Sequence, residues 1–392
     1  MEALIGRLFA FVFLATFLLL AHASTLAVTG LETNPSIPGY RGFPLPVKLE
    51  LPDGLPAGLP AGLPAGVGAP AVTRAVVLVH GSGPQDMDED LSALSAPGVR
   101  NRWFVDVGMA FRNRGFAVVR YDKRSWVAKE RLERDPAWAK SREFTAYAAD
   151  PLMYFVEDAK AAARWAARKM PRARVFMLGH SEGGYIVLQA AREEPIVAGV
   201  AMVGFGAVPL DALLYEQFVY RSLRAFEEAD ANRDGRMDEG ELKAPGIFQE
   251  TVRAQMALLD IDGDGVLDRS EYMAGNLSNI LLDPPSVPEY RAREARYPRP
   301  AAVIGELKCP VAFFQGEWDN QTPAWNAKAV EMLNRALWRK PNLHFRFFKG
   351  LGHALDPRDS YHDLVYRAID PGALEAMTAD LDRIWGVTGK GN

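Results

Sequence analysis

Short runs of apolar residues recur along the chain, and amphipathic stretches of helical period separate them. Ala75-Val-Val-Leu-Val79, Phe116-Ala-Val-Val-Arg-Tyr121, Arg174-Val-Phe-Met-Leu178, Ile196-Val-Ala-Gly-Val-Ala-Met-Val203, Pro310-Val-Ala-Phe-Phe-Gln315 and Leu343-His-Phe-Arg-Phe-Phe348 predict strands. Most are apolar on both faces, as strands covered by helices on either side must be. Between them, Arg102 to Arg114, Asp150 to Met170, Tyr185 to Ala191, Ala324 to Trp338 and Gly372 to Trp385 predict helices. In the longest of these, Phe155, Ala159, Ala162 and Trp165 fall near one face. Alternating strands and helices imply an α/β fold with a mostly parallel, doubly wound sheet. Two further β-like runs, Thr25-Leu-Ala-Val-Thr29 and Leu45-Pro-Val-Lys-Leu-Glu-Leu51, suit an N-terminal hairpin or edge strands.

The rhythm breaks twice. Gly54 to Gly66 repeats Gly-Leu-Pro-Ala, which predicts an extended surface loop. Residues 211–300 are strand-poor, helical and acidic, and they fall between two core strands. They predict an insertion that caps the C-terminal edge of the sheet. The expected organisation is a leader at 1–23, N-terminal strands and loop at 24–70, a core in two parts at 71–210 and 301–392, and the cap at 211–300.

Composition narrows this picture. Apolar residues make up 48%, charged residues 24%, and the net charge is −4, which gives no basis for nucleic-acid binding. One cysteine, Cys309, excludes an internal disulfide. The first residues have the form of a secretory signal: Arg7, the apolar run Leu8 to Ala21, and Ala21-His-Ala23 before Ser24. Cleavage after Ala23 is expected, with an uncleaved anchor as the alternative. After cleavage no membrane span is expected, and the protein is secreted or periplasmic.

Candidate chemistry centres on Gly179-His-Ser-Glu-Gly-Gly184, between a predicted strand and a predicted helix. A strand, a Gly-x-Ser-x-Gly turn and a helix make a nucleophile elbow, in which Ser181 projects from a cramped turn. The glycines admit the sharp bend, and the helix start turns N–H groups toward the site. The required partners follow in order: Asp319 after one strand and His353 after the next. Asp211 is the second candidate acid. Upstream, His80-Gly-Ser-Gly-Pro84 ends a core strand and can present the N–H of Ser82. With the N–H of Glu182 it would form a two-donor oxyanion hole. Four tryptophans, Trp103, Trp126, Trp138 and Trp318, are candidates for pocket lining or for packing.

Together with Arg120-Tyr-Asp-Lys-Arg124, Gln315-Gly-Glu-Trp-Asp319 and Gly352-His353, these motifs resemble those of α/β-hydrolases. Within that superfamily the chain is similar to bacterial dienelactone-hydrolase-like esterases and serine-aminopeptidase-like hydrolases, over about 45–210 and 300–392. A dienelactone hydrolase proper would carry a cysteine nucleophile. Ser181 in that place implies ester hydrolysis of a small-molecule substrate, with a peptidase or other acyl hydrolase as the alternative. A calcium-dependent binding protein on an inactive scaffold is the rival from another class.

The insertion carries a second constellation. Asp230, Asn232, Asp234, Asp238 and Glu241 place side-chain oxygens at positions 1, 3, 5, 9 and 12 of a loop, with Gly at position 6 and the carbonyl of Arg236 at 7. Asp260, Asp262, Asp264, Asp268 and Glu271 repeat the spacing, with the carbonyl of Val266. The chain so wound can surround a Ca²⁺ ion, and the flanking helical faces agree: Tyr215, Val219, Leu223 and Phe226 before the first loop; Phe248, Val252, Met256 and Leu259 between the loops. This resembles a paired EF-hand. Pro245-Gly246 shortens the helix leaving the first loop, and Arg233, Arg236 and Asn232 make its site the weaker of the two. Outside the cytosol, where calcium is steady, a structural ion is expected.

Overall fold

The computed structural model describes residues 35–52, 72–274, 297–363 and 365–386. The leader, the run Thr25 to Thr29 and the Gly-Leu-Pro-Ala repeat lie outside these residues. The main sheet has eight strands: β1 (Ser36–Pro38), β2 (Pro44–Glu50), β3 (Arg74–Val79), β4 (Ala117–Tyr121), β5 (Arg174–His180), β6 (Val197–Val203), β9 (Val311–Gly316) and β10 (Leu343–Phe348). Their order is β1-β2-β4-β3-β5-β6-β9-β10, and β7 (Arg236–Met237) and β8 (Leu267–Asp268) form a separate pair in the insertion. From β4 to β10 all neighbours are parallel, whereas β1 with β2 and β2 with β4 run antiparallel. The edge hairpin joins 36–38 to 44–50. Prolines at 38 and 44 sit at the ends of this edge pair, where a missing N–H is tolerated.

Helices cover both faces. On one side α1 (Trp103–Asn113) and the closing helix α12 (Pro371–Gly386) bury Phe104, Val107, Phe111, Met377, Leu381 and Trp385 against the sheet. On the other, α4 (Pro151–Lys169) and α5 (Glu182–Glu193) bury Val156, Ala159, Ala163, Ile186 and Val187. Local signals set these boundaries: the Asp150 side chain accepts the Met153 N–H and Pro151 opens α4, a helix start that uses both preferences at once. Between β4 and α4 the structure adds α2 (Arg124–Arg134) and α3 (Arg142–Ala148). They pack Ala128, Leu132, Phe144 and Tyr147 against the same core.

Trp385 shows how the last helix is locked on. Its ring is fully buried and stacks on Phe176 of β5 at 4.6 Å. A side chain at Gly199 would put its Cβ 2.9 Å from the Trp385 indole nitrogen, so the glycine leaves the notch this ring fills. Trp385→Ala is expected to lower stability by about 3–5 kcal/mol. Denaturant unfolding should show the midpoint falling with an unchanged slope.

Among the described residues, the segment between β6 and β9 holds helices and loops, with β7 and β8 its one strand pair. It opens with α6 (Leu210–Tyr215), a π-helical stretch at Glu216–Tyr220 and α7 (Arg221–Ala229), then α8 (Glu239–Lys243), α9 (Ile247–Leu259) and helical residues 269–274. It has a small core of its own: Phe226, Met237, Leu242, Val252 and Leu267. The π stretch changes the phase of the first helical face. Val219 and Phe226 are buried as the spacing predicts, but Tyr215, on the other side of the phase change, is exposed. The segment re-enters the core through α10 (Pro300–Glu306), and α11 (Trp325–Leu333) links β9 to β10.

Candidate active site

Ser181 follows the last residue of β5 and starts α5 with φ 54° and ψ −119°, a left-handed conformation that a non-glycine residue rarely takes. The turn is as cramped as the motif requires. A Cβ at Gly179 would lie 2.1 Å from the Gly183 carbonyl oxygen, and one at Gly183 would lie 2.1 Å from that of Val79. The Ser181 N–H donates to the Val203 carbonyl at the tip of β6 (2.8 Å). β3, β5 and β6 therefore end together around this serine.

The candidate acid and base come from the loops after β9 and β10. His353 Nδ1 lies 2.8 Å from Asp319 Oδ2, and both residues are buried. Asp319 also accepts from the Thr322 hydroxyl and Gln315 Nε2, each at 2.7 Å, and from the backbone N–H groups of Gln321 and Thr322. Burial alone would favour the neutral acid, but His353 and Thr322 outweigh it and hold the Asp319 carboxyl below its usual range. Gly204, at φ +63° just beyond β6, has no room for a side chain because a Cβ there would meet His353 Nδ1 at 2.7 Å. The His353 ring is 4.9 Å from that of His180, the neighbour of Ser181. The structure thus gathers Ser181, Asp319 and His353 at one edge of the sheet, in the expected strand order. Asp211 lies in α6, and Asp319 is the acid that meets the histidine.

The loop after β3 borders the elbow: a Cβ on Gly81 would sit 3.3 Å from Ser181 Cβ. Ser82 follows it, and Glu182 is the first residue of α5. His80 itself turns inward between Phe104 and Tyr121, and burial pushes its imidazole down to about 4, so it is a neutral core residue.

Several site residues escaped sequence reasoning. Glu89 Oε1 accepts the Gly81 N–H at 2.8 Å and lies 3.1 Å from His180 Nδ1. The His180 ring stacks on Trp103 at 4.7 Å, which assigns that tryptophan to packing behind the site. Burial opposes a charged His180, but Glu89 overcomes it and raises the imidazole above its ordinary value. Lys123 donates to the Gly81 carbonyl and to Glu182 Oε2, the latter at 2.7 Å. The motifs that contain Glu89 and Lys123 were visible in the sequence, without anything to assign them a partner.

In the insertion, β7 and β8 join the two acidic loops, with Met237 opposite Leu267. Each loop closes on itself. Glu241 Oε1 accepts the N–H groups of Ala231 and Asn232, and Glu271 Oε1 those of Ile261 and Asp262. Asp230 and Asp260 each accept the N–H of the loop glycine, Gly235 or Gly265, and both glycines have φ +82°. Asp238 and Glu241 cap α8 reciprocally, and Asp268 accepts the N–H of Glu271. One oxygen each of Asp260, Asp262 and Asp264 lie within 4.8 Å of one another. The first loop gathers Asp230, Asn232 and Asp234 through hydrogen bonds instead, and Arg236 pairs with Asp264 of the second loop at 2.7 Å.

The helix entering the first loop also touches the acid loop of the core. Gln217 Nε2 donates to the Gln321 carbonyl (2.7 Å), Arg221 to that of Asn320 (3.3 Å), and Glu228 pairs with His362 (2.7 Å). Asn320 and Gln321 directly follow Asp319.

A sheet of this order, with a strained serine after β5 and a histidine–carboxylate pair after β9 and β10, is the architecture of a hydrolase. The chain belongs to the Alpha/beta hydrolase family, whose pattern matches residues 76–368. Among curated proteins it is similar to Esterase EstD of Thermotoga maritima, at 33% identity over 146 residues. That match spans 37% of this chain and only 30% of the relative. Among solved structures, it resembles Est1E from Butyrivibrio proteoclasticus at 15% identity, with a TM-score of 0.45 and coverage of 88% of this chain and 94% of the other. It also resembles dienelactone hydrolase from Anabaena variabilis at 13% identity, with a TM-score of 0.42 and coverage of 90% and 95%. Among the described residues no helix is long and apolar enough to cross a membrane.

Proposed function

We propose that this protein is a serine hydrolase acting on carboxylic esters of small molecules, with Ser181 as nucleophile, His353 as base and Asp319 as the acid that orients it. The observation that carries this reading is the buried His353–Asp319 pair, at 2.8 Å, beside a serine held in a strained turn. His353 takes the Ser181 proton as the hydroxyl attacks the acyl carbonyl. Asp319 stabilises the imidazolium so formed, and the N–H groups of Ser82 and Glu182 face the developing oxyanion. His353 then returns the proton to the leaving alcohol, and water, activated in the same way, releases the acid. The partial likeness to an esterase supports ester bonds as the substrate class. The leader at 1–23 directs the enzyme out of the cytosol. The test is hydrolysis of short and medium p-nitrophenyl esters together with labelling by a fluorophosphonate. One label per chain on Ser181, with loss of turnover, is the expected result. Labelling elsewhere would overturn the assignment.

The insertion is proposed to bind Ca²⁺ as an EF-hand pair. The donor set fits: hard carboxylate oxygens at the required spacing, a bidentate-capable glutamate closing each loop, and no soft ligand among them. Asp260, Asp262, Asp264, Asp268, Glu271 and the Val266 carbonyl would hold one ion. Asp230, Asn232, Asp234, Asp238, Glu241 and the Arg236 carbonyl would hold the other. A bound cation neutralises the acidic loops, and the bonds from Gln217 and Arg221 connect that order to the loop of Asp319. At a Kd of ~10 µM, millimolar calcium adds about 2.7 kcal/mol of stability. EDTA should therefore lower Tm, calcium should restore it, and Glu271→Gln should blunt the effect. A Tm unmoved by chelator and by added calcium would refute a structural ion.

A further inference from the structure

The geometry points to Lys123 as a positioning residue for the oxyanion hole, holding the Gly81–Ser82 peptide so that its N–H faces the reacting carbonyl. This inference rests on the proposed serine mechanism and deepens it. The carbonyl of Gly81 and the N–H of Ser82 belong to one peptide unit. In a trans peptide these two groups point in opposite directions. A donor anchored on the carbonyl therefore sets where the N–H points. Lys123 supplies that donor from the protein interior, where its side chain is almost fully buried.

The same ammonium group lies 2.7 Å from Glu182 Oε2. Glu182 carries the second proposed oxyanion N–H on its own backbone. One cation thus ties together the two segments that must stay in register. A charged donor on a carbonyl also polarises the amide and strengthens the hydrogen bond its N–H can donate. The rest of the loop is fixed from the same side. The Lys123 N–H donates to the Gln85 carbonyl (3.1 Å), and the Ser125 hydroxyl donates to that of Gly83 (2.8 Å). From the other side Glu89 accepts the Gly81 N–H. Gly81, which has no side chain to brace it, is thus held at both its N–H and its carbonyl, on two successive peptides.

The Nζ group also sits over the Phe155 ring, 4.4 Å from its centroid. The ammonium thus meets the Gly81 carbonyl, Glu182 and this ring, all groups of the protein itself. Lys123 therefore acts through the peptide, and it differs from a residue that binds substrate directly.

An oxyanion donor works in the transition state more than in the ground state. Lys123→Met should lower kcat by about 10–100-fold, less than the loss of a whole donor, with KM within about twofold of the parent. A boronic acid that mimics the tetrahedral intermediate should bind more weakly by a similar factor, while a non-reactive substrate analogue should bind as before. Lys123→Arg, which keeps a buried donor, should recover part of kcat. If Lys123→Met does not fold, Lys123→Arg and Glu182→Gln carry the same comparison with a smaller loss, because the first puts a bulkier guanidinium in place of the ammonium and the second removes the charge that holds it. Unchanged kcat and boronate affinity in a folded variant would overturn the assignment. So would equal weakening of boronate and substrate analogue, which marks a merely structural residue. Ser181→Ala is measured alongside. If that variant stays active, the serine mechanism itself falls. If it is inactive while Lys123→Met runs at full rate, only the role of Lys123 falls.

Discussion

Ser181→Ala will fold as the parent does and lose about 10⁶-fold in kcat toward p-nitrophenyl esters. The two halves of that statement have separate physical grounds. In the proposed mechanism the hydroxyl is the atom that becomes acylated, so no neighbouring group replaces it. The backbone at Ser181 already bears the left-handed conformation, and alanine meets the same strain as serine there. What remains is catalysis by binding and by the oxyanion donors, commonly 10³–10⁴-fold over water. Single-turnover kinetics would show no acyl-enzyme burst, and thermal unfolding would show a Tm close to that of the parent. A variant that keeps its turnover would exclude Ser181 as the nucleophile.

Asp319→Asn will lose about 10⁴-fold in kcat while KM changes little. Asparagine keeps the size of the side chain and can still accept from the Thr322 and Gln321 N–H groups. It cannot carry the charge that, in the proposed mechanism, stabilises the His353 imidazolium, and its amide can turn an N–H toward Nδ1 and favour the wrong tautomer. The pH dependence of stability gives an independent check. The carboxyl is held below its usual value in the fold, so its charged form is favoured there. The stability this adds is fully present above the ordinary aspartate range and is lost as pH falls through the lowered value. The stability gap between the parent and Asp319→Asn should therefore be constant at neutral pH and shrink only in acid. A gap that widens in acid would contradict the arrangement.

The fold was legible because its strands are short, apolar on both faces and regularly spaced. Residues 343–348 and 197–203, for instance, end within a residue of where hydrophobicity changes. The placement of Ser181, Asp319 and His353 was legible for a related reason: each follows a strand, so chain order and spatial order coincide. The contacts that brace the site were not. Glu89 meets His180 across 91 residues, and Lys123 meets Glu182 across 59. No periodicity encodes such pairings, since they depend on which loops the sheet brings to one edge. The π-helical stretch at Glu216–Tyr220 was invisible for another reason. It is a change of phase inside an apolar pattern that fits an ordinary helix equally well. The acidic loops stood out because the spacing of their carboxylates is local to a dozen residues, and the bonds of Glu241 and Glu271 follow the same spacing.

The pairing of β6 with β9 has a consequence for how the chain folds. Val203 and Phe314 are partners in the sheet, yet everything between β6 and β9, the insertion included, lies between them in sequence. Joining two such distant strands is slow when the intervening chain is a random coil, because the ends must find each other by diffusion. The insertion has its own small core around Phe226, Met237, Val252 and Leu267, and its two loops are joined through β7 and β8. If that core closes early, the floppy length that must be searched becomes much shorter. If the proposed calcium sites are right, calcium present during refolding would act on the rate as well as on the final stability, by shortening the wait before the second half of the sheet docks onto the first.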